Sequence, residues 1–340
     1  MIVYFKENRR ELIYNLSFVL FFIILFSIAA SREIGFDRDS IVFAEVIYDF
    51  LNGEININLI DKEPTFWLII LISDYLFSDP VSGVFIIYSA ISISIKLYVI
   101  KKLSLSPFLS IIVYISLYYI LHELTQFRIG VAAAFFLLSI DDIYKKNFKG
   151  FLLKYFLAIL FHYSAVIIFP LYFINQKKKH LNYYYFLPVL ALLISLYPNF
   201  LMNFIKLLIP ILPIFLGDKL DLYFQIYEQG VHTDINLFNF YILSLIFIYY
   251  FALYFSGNFK SDYDIIHLKI MGIMIFSFYT FAFLPVLSFR ISEFLGVILI
   301  IFLANLTHIF DNIILAKILL ILYSSTMLYN YLFIQNMLRF

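Results

Sequence analysis

Runs of 15 to 20 or more apolar residues recur along this chain, and nothing else in it limits the fold as tightly. They fall at about 12–30, 64–78, 81–100, 105–121, 127–143, 150–174, 182–199, 237–256, 266–284, 286–304 and 313–334. Backbone placed in lipid must satisfy its own hydrogen bonds, which leaves helices and closed barrels. A barrel strand is roughly 10 residues of alternating character. These runs are longer and do not alternate, so they predict helices. Of the 340 residues 63% are hydrophobic and 14% charged, with mean hydropathy +0.93. A soluble chain carries about 25% charged residues, so a water-facing surface of ordinary size cannot be built here. The expectation is an all-α polytopic integral membrane protein of about nine to eleven hydrophobic segments. With no Pro/Gly/Ser linker, residues 1–340 read as a single transmembrane domain with long loops at 31–63 and 199–236.

The chain has no cysteine, which removes disulfides, thiol catalysis and cysteine-bound zinc. A net charge of +1 without a basic arm gives no sign of nucleic acid. Lys6, Arg9 and Arg10 precede the first run as they would in a signal peptide, but no small-residue cleavage pattern accompanies them, so an uncleaved first span is expected. No phosphate-cradling G-x-x-x-x-G-K, G-x-G-x-x-G, H-E-x-x-H or G-x-S-x-G occurs, so ATP-driven transport and soluble-type nucleotide-sugar binding have no support.

Orientation follows from the basic clusters Lys6/Arg9/Arg10, Lys101/Lys102, Lys145/Lys146/Lys149 and Lys177/Lys178/Lys179. If every run crossed fully, some clusters would fall on opposite sides. Two runs look different: 64–78 is short and carries Asp74, and 150–174 is interrupted by His162, Tyr163 and Ser164 between basic ends. Reading both as broken or re-entrant hairpins, with nine full crossings, places all four clusters in the cytoplasm. The cytoplasmic segments then hold 15 basic and 7 acidic residues, and the long loops at 31–63 and 199–236 hold 5 basic and 12 acidic ones.

Charges beside membrane spans are costly unless paired or wetted, which makes them candidates for function. Ser31 to Asp39 contains Arg32, Asp37, Arg38 and Asp39, suited to a sugar hydroxyl beside an anion, because carboxylates accept protons and guanidinium pairs with phosphate. A solvated loop edge would look the same. Glu63-Pro64 opens the second run, either as a cap or as a working carboxylate. His122 to Arg128 is expected to join two spans, with Arg128 followed by Gly130, Ala132, Ala133 and Ala134, small residues that permit close packing. Arg128 itself is either functional or a snorkelling side chain. His162 sits at a suspected helix break, either hydrogen-bonded or lining a cavity. Arg290 and Glu293 lie one helical turn apart after Pro285 and are placed to pair. In 199–236, Asp218, Asp221, Tyr223, Tyr227, Glu228 and His232 mix acidic and aromatic groups suited to sugar rings.

Taken in order, these elements resemble the EpsG/Wzy family of bacterial polysaccharide polymerases. The match runs through Arg32, Gly35, Asp37 and Asp39 after the first span, Glu63-Pro64, Gln126 to Phe136, Phe161-His162-Tyr163-Ser164-Ala165 and Arg290. Asp37-Arg38-Asp39 departs from the family's commoner Gly/Thr-Asp-Tyr-like pattern, and no Tyr follows two residues beyond Arg290. The resemblance implies a membrane glycosyltransferase similar in plan to multi-span transferases of the GT-C type that use lipid-linked sugars. Undecaprenyl-diphosphate-linked oligosaccharides would be joined into O-antigen, capsule or exopolysaccharide at the periplasmic face of the bacterial inner membrane. Asp37 or Asp39, with Glu63 and His162 as contenders, would serve the acceptor hydroxyl. Arg32, Arg38, Arg128 and Arg290, with Glu293 beside them, would bind substrate. No metal or other cofactor is required, although Asp37, Asp39 and Glu63 have the donors for a hard cation. Membrane lipids, a chain-length regulator and a flippase are the implied partners. The rival readings are a flippase or exporter, a glycan ligase and a membrane acyltransferase.

Overall fold

The computed structural model describes residues 2–58, 62–178, 181–230 and 235–339; Lys179 and His232 lie outside these, as does the side chain of Lys6. The apolar runs are helical, and among the described residues the single extended pairing is an isolated bridge between Asp37 and Leu338. Pro64, Pro80, Pro107, Pro198 and Pro285 each open a helix, the position where a missing N–H costs nothing.

Helix α1 (Ile2–Ala30) lies against the bundle, with Leu12, Leu16, Val19, Leu20 and Ile23 on its exposed side. After α2 (Ser40–Leu51) and the short α3 (Pro64–Leu76), α4 (Pro80–Leu103) runs through the interior. Helix α5 (Pro107–Tyr114) continues without a loop into a π-helix at Ile115–Thr125, every residue of which from Ser116 onward is buried. Helix α6 (Phe127–Lys145) packs along it and against α4. Gly130 makes this approach feasible: a Cβ there would stand 2.2 Å from the His122 carbonyl oxygen.

The broken-hairpin expectation for 150–174 matches the geometry. Helix α7 (Phe148–Phe161) ends at His162, whose backbone is extended, and a 3₁₀ segment (Tyr163–Phe173) folds back along α7. The two ends come together: Lys146 Nζ donates to the carbonyls of Tyr172 and Ile174, and Tyr172 Oη donates to the Lys146 carbonyl at 2.8 Å. The 13 residues of α3 pack antiparallel to the start of α4, so the chain dips in before Glu63 and returns through α3. The two dips meet tip to tip, where Thr65 Oγ1 donates to the Leu160 carbonyl and the Tyr163 N–H donates to Glu63 Oε1 at 3.2 Å.

Because both segments turn back, the basic clusters share one end of the bundle. Asp141 accepts from Lys102 and Lys145 at 2.7 and 3.0 Å, Lys269 donates to the Lys177 carbonyl at 2.9 Å, and Lys101 donates to Asn15 at 2.6 Å. We refer to this as the basic end, and to the other as the loop end.

Helices α8 (Leu181–Tyr184) and α9 (Leu187–Ser195) lead to α10 (Pro198–Leu208), which is turned 96° from them. Helix α9 packs upright on α13 (Asp264–Thr280), so α10 lies across the bundle. Its Phe200, Phe204 and Leu207 are exposed along one side, as on a helix resting at a bilayer interface. Helix α11 (Ile214–Glu228) folds back on α10, and α12 (Phe240–Tyr254), α14 (Pro285–Gly296), α15 (Leu299–Leu306) and α16 (Ile313–Tyr329) complete the bundle.

Two expectations need correction. Among the described residues four helical stretches are by themselves long and apolar enough to cross a membrane, Arg9–Ala30, Pro80–Leu103, Pro107–Thr125 and Ile313–Ile334, and two bent pairs raise this to six. Nine to eleven full crossings do not meet that measure: α3 has 13 residues, α12 has 15, and α6 carries Arg128, Asp141, Asp142 and Lys145. The junction expected at 122–126 does join two helices: the π-helix carries the chain to Gln126 and α6 begins at Phe127. The segment 199–236 is largely helical, with α10 and α11 sharing an apolar contact, and 31–63 carries one helix, α2, which buries Ser40, Ala44 and Ile47 at helical spacing.

Candidate active site

At the loop end a recess of ≈ 330 Å³ is lined by Asp39, Lys62, Gln126, Arg128, His162, Lys219, Tyr223 and Arg290, with Phe43, Ile129 and Leu222 between them. Its floor lies beside Tyr88, about 12 Å along α4 from Pro80 at 1.5 Å per residue: the Tyr88 ring touches those of Phe127 and Phe161.

Each wall follows from local sequence. The turn before α2 needs Gly35, whose φ of +92° suits glycine, and its N–H donates to Ser40 Oγ at 2.8 Å. That turn brings Asp37 under the helix start, where Oδ1 accepts the N–H groups of Asp39 and Ser40 at 2.9 and 3.0 Å. Asp37 is thereby the capping residue, and Asp39 is the carboxylate on the lining. Burial, then the charge of Asp37, raises the Asp39 pKa above the usual aspartate range, against Arg290, Arg128 and Arg38.

Glu63 ends the inward dip, fully buried, and its two oxygens are divided between tips. Oε2 accepts from Arg128 Nη1, and Oε1 takes the Tyr163 N–H, with His162 Nε2 at 3.9 Å. His162 Nδ1 accepts the Ser164 N–H at 3.2 Å and so caps the 3₁₀ segment. With Nδ1 an acceptor, a neutral ring carries its proton on Nε2, toward Glu63. Arg128 also stacks over Phe43 and Phe66, 5.1 and 5.3 Å from the ring centres. Arg290 reaches the recess from α14 and donates to Tyr223 Oη at 2.7 Å. Arg128 Nε and Gln126 Oε1 are buried without a hydrogen-bond partner among the described residues.

Five of the residues singled out from sequence therefore line one recess, Asp39, Arg128, His162, Tyr223 and Arg290, and Glu63 joins them from beneath. The others lie elsewhere. Arg32 is buried behind Asp37, 3.5 Å from its carboxylate, donating to the carbonyls of Ala29 and Glu123 and lying over the Phe85 ring. Arg38 is exposed and binds the carbonyls of Gln335 and Asn336. Glu293 stands behind Arg290, hydrogen-bonded to the Gln126 side chain and close to Tyr118, Tyr241 and Tyr331. Among the described residues no three acidic or histidine side chains gather as they would around a metal ion.

Sequence reading passed over Lys62, Gln126 and Lys219 as site residues. Lys62 adjoins Glu63, and Gln126 sits two before Arg128. Lys219 lies i,i+4 from Tyr223, a spacing that puts both on one helix face, but that is informative only once 214–228 is known to be a helix. It also passed over a buried support below the recess: Glu123 Oε1 accepts from Lys96, from Ser92 at 3.0 Å and from Tyr114 at 2.7 Å, all fully enclosed.

No curated protein and no solved structure matches the chain. A family model described as the EpsG family matches residues 15–340, nearly the whole length. By its family, then, and with a helical membrane fold to match, this chain is a member of the EpsG family.

Proposed function

We propose that this chain is a polysaccharide polymerase: a membrane glycosyltransferase that joins undecaprenyl-diphosphate-linked oligosaccharide units at the periplasmic face of the inner membrane. The observation that carries the reading is the facing of Asp39 toward Arg128 and Arg290 across one recess at the loop end. Chain extension needs a group to accept the proton of an attacking sugar hydroxyl and cations to receive a departing diphosphate. Asp39 takes the proton as the hydroxyl oxygen bonds to the anomeric carbon of the donor. The bond from that carbon to the diphosphate oxygen breaks, and the diphosphate leaves on its lipid with the electron pair. Arg128, fixed by Glu63, and Arg290 stabilise the charge that accumulates there. Two phosphates suit guanidinium forks, so these steps call for no metal. His162 stands 3.9 Å from Glu63 and presents its ring at the floor.

The basic clusters at the other end agree with a cytoplasmic assignment for it, and the recess then opens to the periplasm. A flippase would need a second opening at the basic end, and the ion pairs of Asp141 and Asp142 that tie the helices together there argue against it.

The test is genetic. Deleting the gene should turn long-chain surface polysaccharide into single repeat units on a gel, with recovery by the parent chain. Asp39→Asn and Arg128→Ala should fail to restore long chains while remaining in the membrane fraction. Long chains made by the deletion strain, or by Arg128→Ala at full level, would refute the assignment.

A further inference from the structure

The recess has two halves of different construction. The lower half is fixed: Arg128 is bound to Glu63, His162 caps a helical segment, and both dips lie in the main core. The upper half comes from α11, which presents Lys219, Leu222 and Tyr223. Among the described residues none of this helix belongs to the main core. Its Phe224 belongs to a small separate cluster with Ile205 of α10 and Leu284 of the turn before α14, joined by Leu201, Met202 and Tyr227. Pro210 and Pro213 separate α10 from α11, Gly230 with φ of +68° ends the latter, and an exposed ion pair of Lys206 with Glu228 at 2.7 Å links the two helices. The hairpin is thus a small unit resting on the bundle, with α10 lying across it.

We propose that α11 supplies the grip on the diphosphate of the lipid-linked donor, through Lys219 and Tyr223. This rests on the polymerase reading and adds to it the groups that hold the leaving group from above. A diphosphate carries two or three negative charges spread over two phosphates, and the recess brings groups to them from both halves, Arg128 from below and Lys219, Tyr223 and Arg290 around the mouth. Lys219 lies over the Tyr163 ring at 5.2 Å, beside the Glu63–His162 floor, and brings a point charge that phosphate accepts from any direction. Tyr223 Oη already accepts from Arg290, so its own proton is directed to a further acceptor. A ligand oxygen between Lys219, Tyr223 and Arg290 would tie α11 to α14 across the mouth of the recess.

The experiment uses the full chain in nanodiscs of phosphatidylethanolamine and phosphatidylglycerol. A fluorophore on Gln225→Cys, an exposed site on α11 in a chain with no other cysteine, reports binding of geranylgeranyl diphosphate. Lys219→Met and Tyr223→Phe should each weaken binding about tenfold, the scale of one hydrogen bond to a charged group. Lys219→Arg should restore most of it, and geranylgeranyl monophosphate should bind all forms weakly. If Lys219→Met does not fold, Tyr223→Phe, which keeps its ring, carries the test. Diphosphate binding by both variants as tight as the parent's overturns the grip alone and leaves the polymerase reading standing. A polymer-forming parent that binds no diphosphate lipid removes the leaving group assigned under that reading, and the grip with it.

Discussion

The two ends of the bundle use the same residue types in opposite ways. At the basic end charges are spent on one another. Asp141 gathers Lys102, Lys145 and Tyr263, Asp142 holds Lys154 and Asn147, and Asp264 accepts from Asn305, which in turn accepts the Leu105 N–H. These contacts staple α4, α6, α7, α13 and α15 together. At the loop end, Asp39, Lys62, Arg128, Lys219 and Arg290 converge on a space. There Arg128 keeps Glu63 and Arg290 keeps Tyr223 as partners and both still border a recess, so the space beside the charges, not their pairing, separates site from scaffold.

Four substitutions would break or sharpen that contrast. The largest effect belongs to Lys96→Met in the buried support, which strips Glu123 of its cation in an enclosed place. It should destabilise the protein by about 3–5 kcal/mol, read by chemical unfolding in detergent. Adding Glu123→Gln should recover a large part, and an unchanged midpoint for Lys96→Met would mean that the pair carries little. Next comes Glu63→Gln, which loosens Arg128 without emptying the site. Polymer formation in membranes should fall about 10²-fold, as when a catalytic group is misplaced by an ångström; retention of the parent rate would detach Glu63 from the reaction. At the basic end, Asp141→Asn should lower stability by about 0.5–1 kcal/mol, since Lys102 and Lys145 are 39% and 56% exposed and solvent screens them. Polymer length should not change; a loss of polymer would mean that the basic end also serves the site. The smallest effect is Arg38→Gln. Asp39 works as a base when deprotonated, so activity is lost as pH falls through its raised pKa. Removing the Arg38 charge raises that pKa further, so the acid limb of the rate profile should move to higher pH.

Much of the frame was legible in the chain. The His162 interruption between basic ends pointed to a hairpin because charge placement and helix length disagreed unless the segment turned back, and the structure resolves them that way. Which of Asp37 and Asp39 faces the recess was not legible. That choice depends on the Gly35 turn and on which carboxylate caps α2, and both side chains suit either post. Lys96 and Glu123 lie 27 residues apart, one in an apolar run and one in what read as a junction, so no local pattern joins them. Helix α11 was hidden for a different reason: its apolar residues pack on α10 and a distant turn, leaving a segment that by composition reads as a loop.

The size of the recess sets a limit on what the protein can perceive. At ≈ 330 Å³ it is near the bottom of the range for ligand cavities, about 300–1,000 Å³. Under the proposed reaction it would accommodate the junction being made and not the glycan already built, which would trail into the aqueous phase. Each addition would then be chemically identical to the one before, and a tally of additions would have to be kept outside this recess.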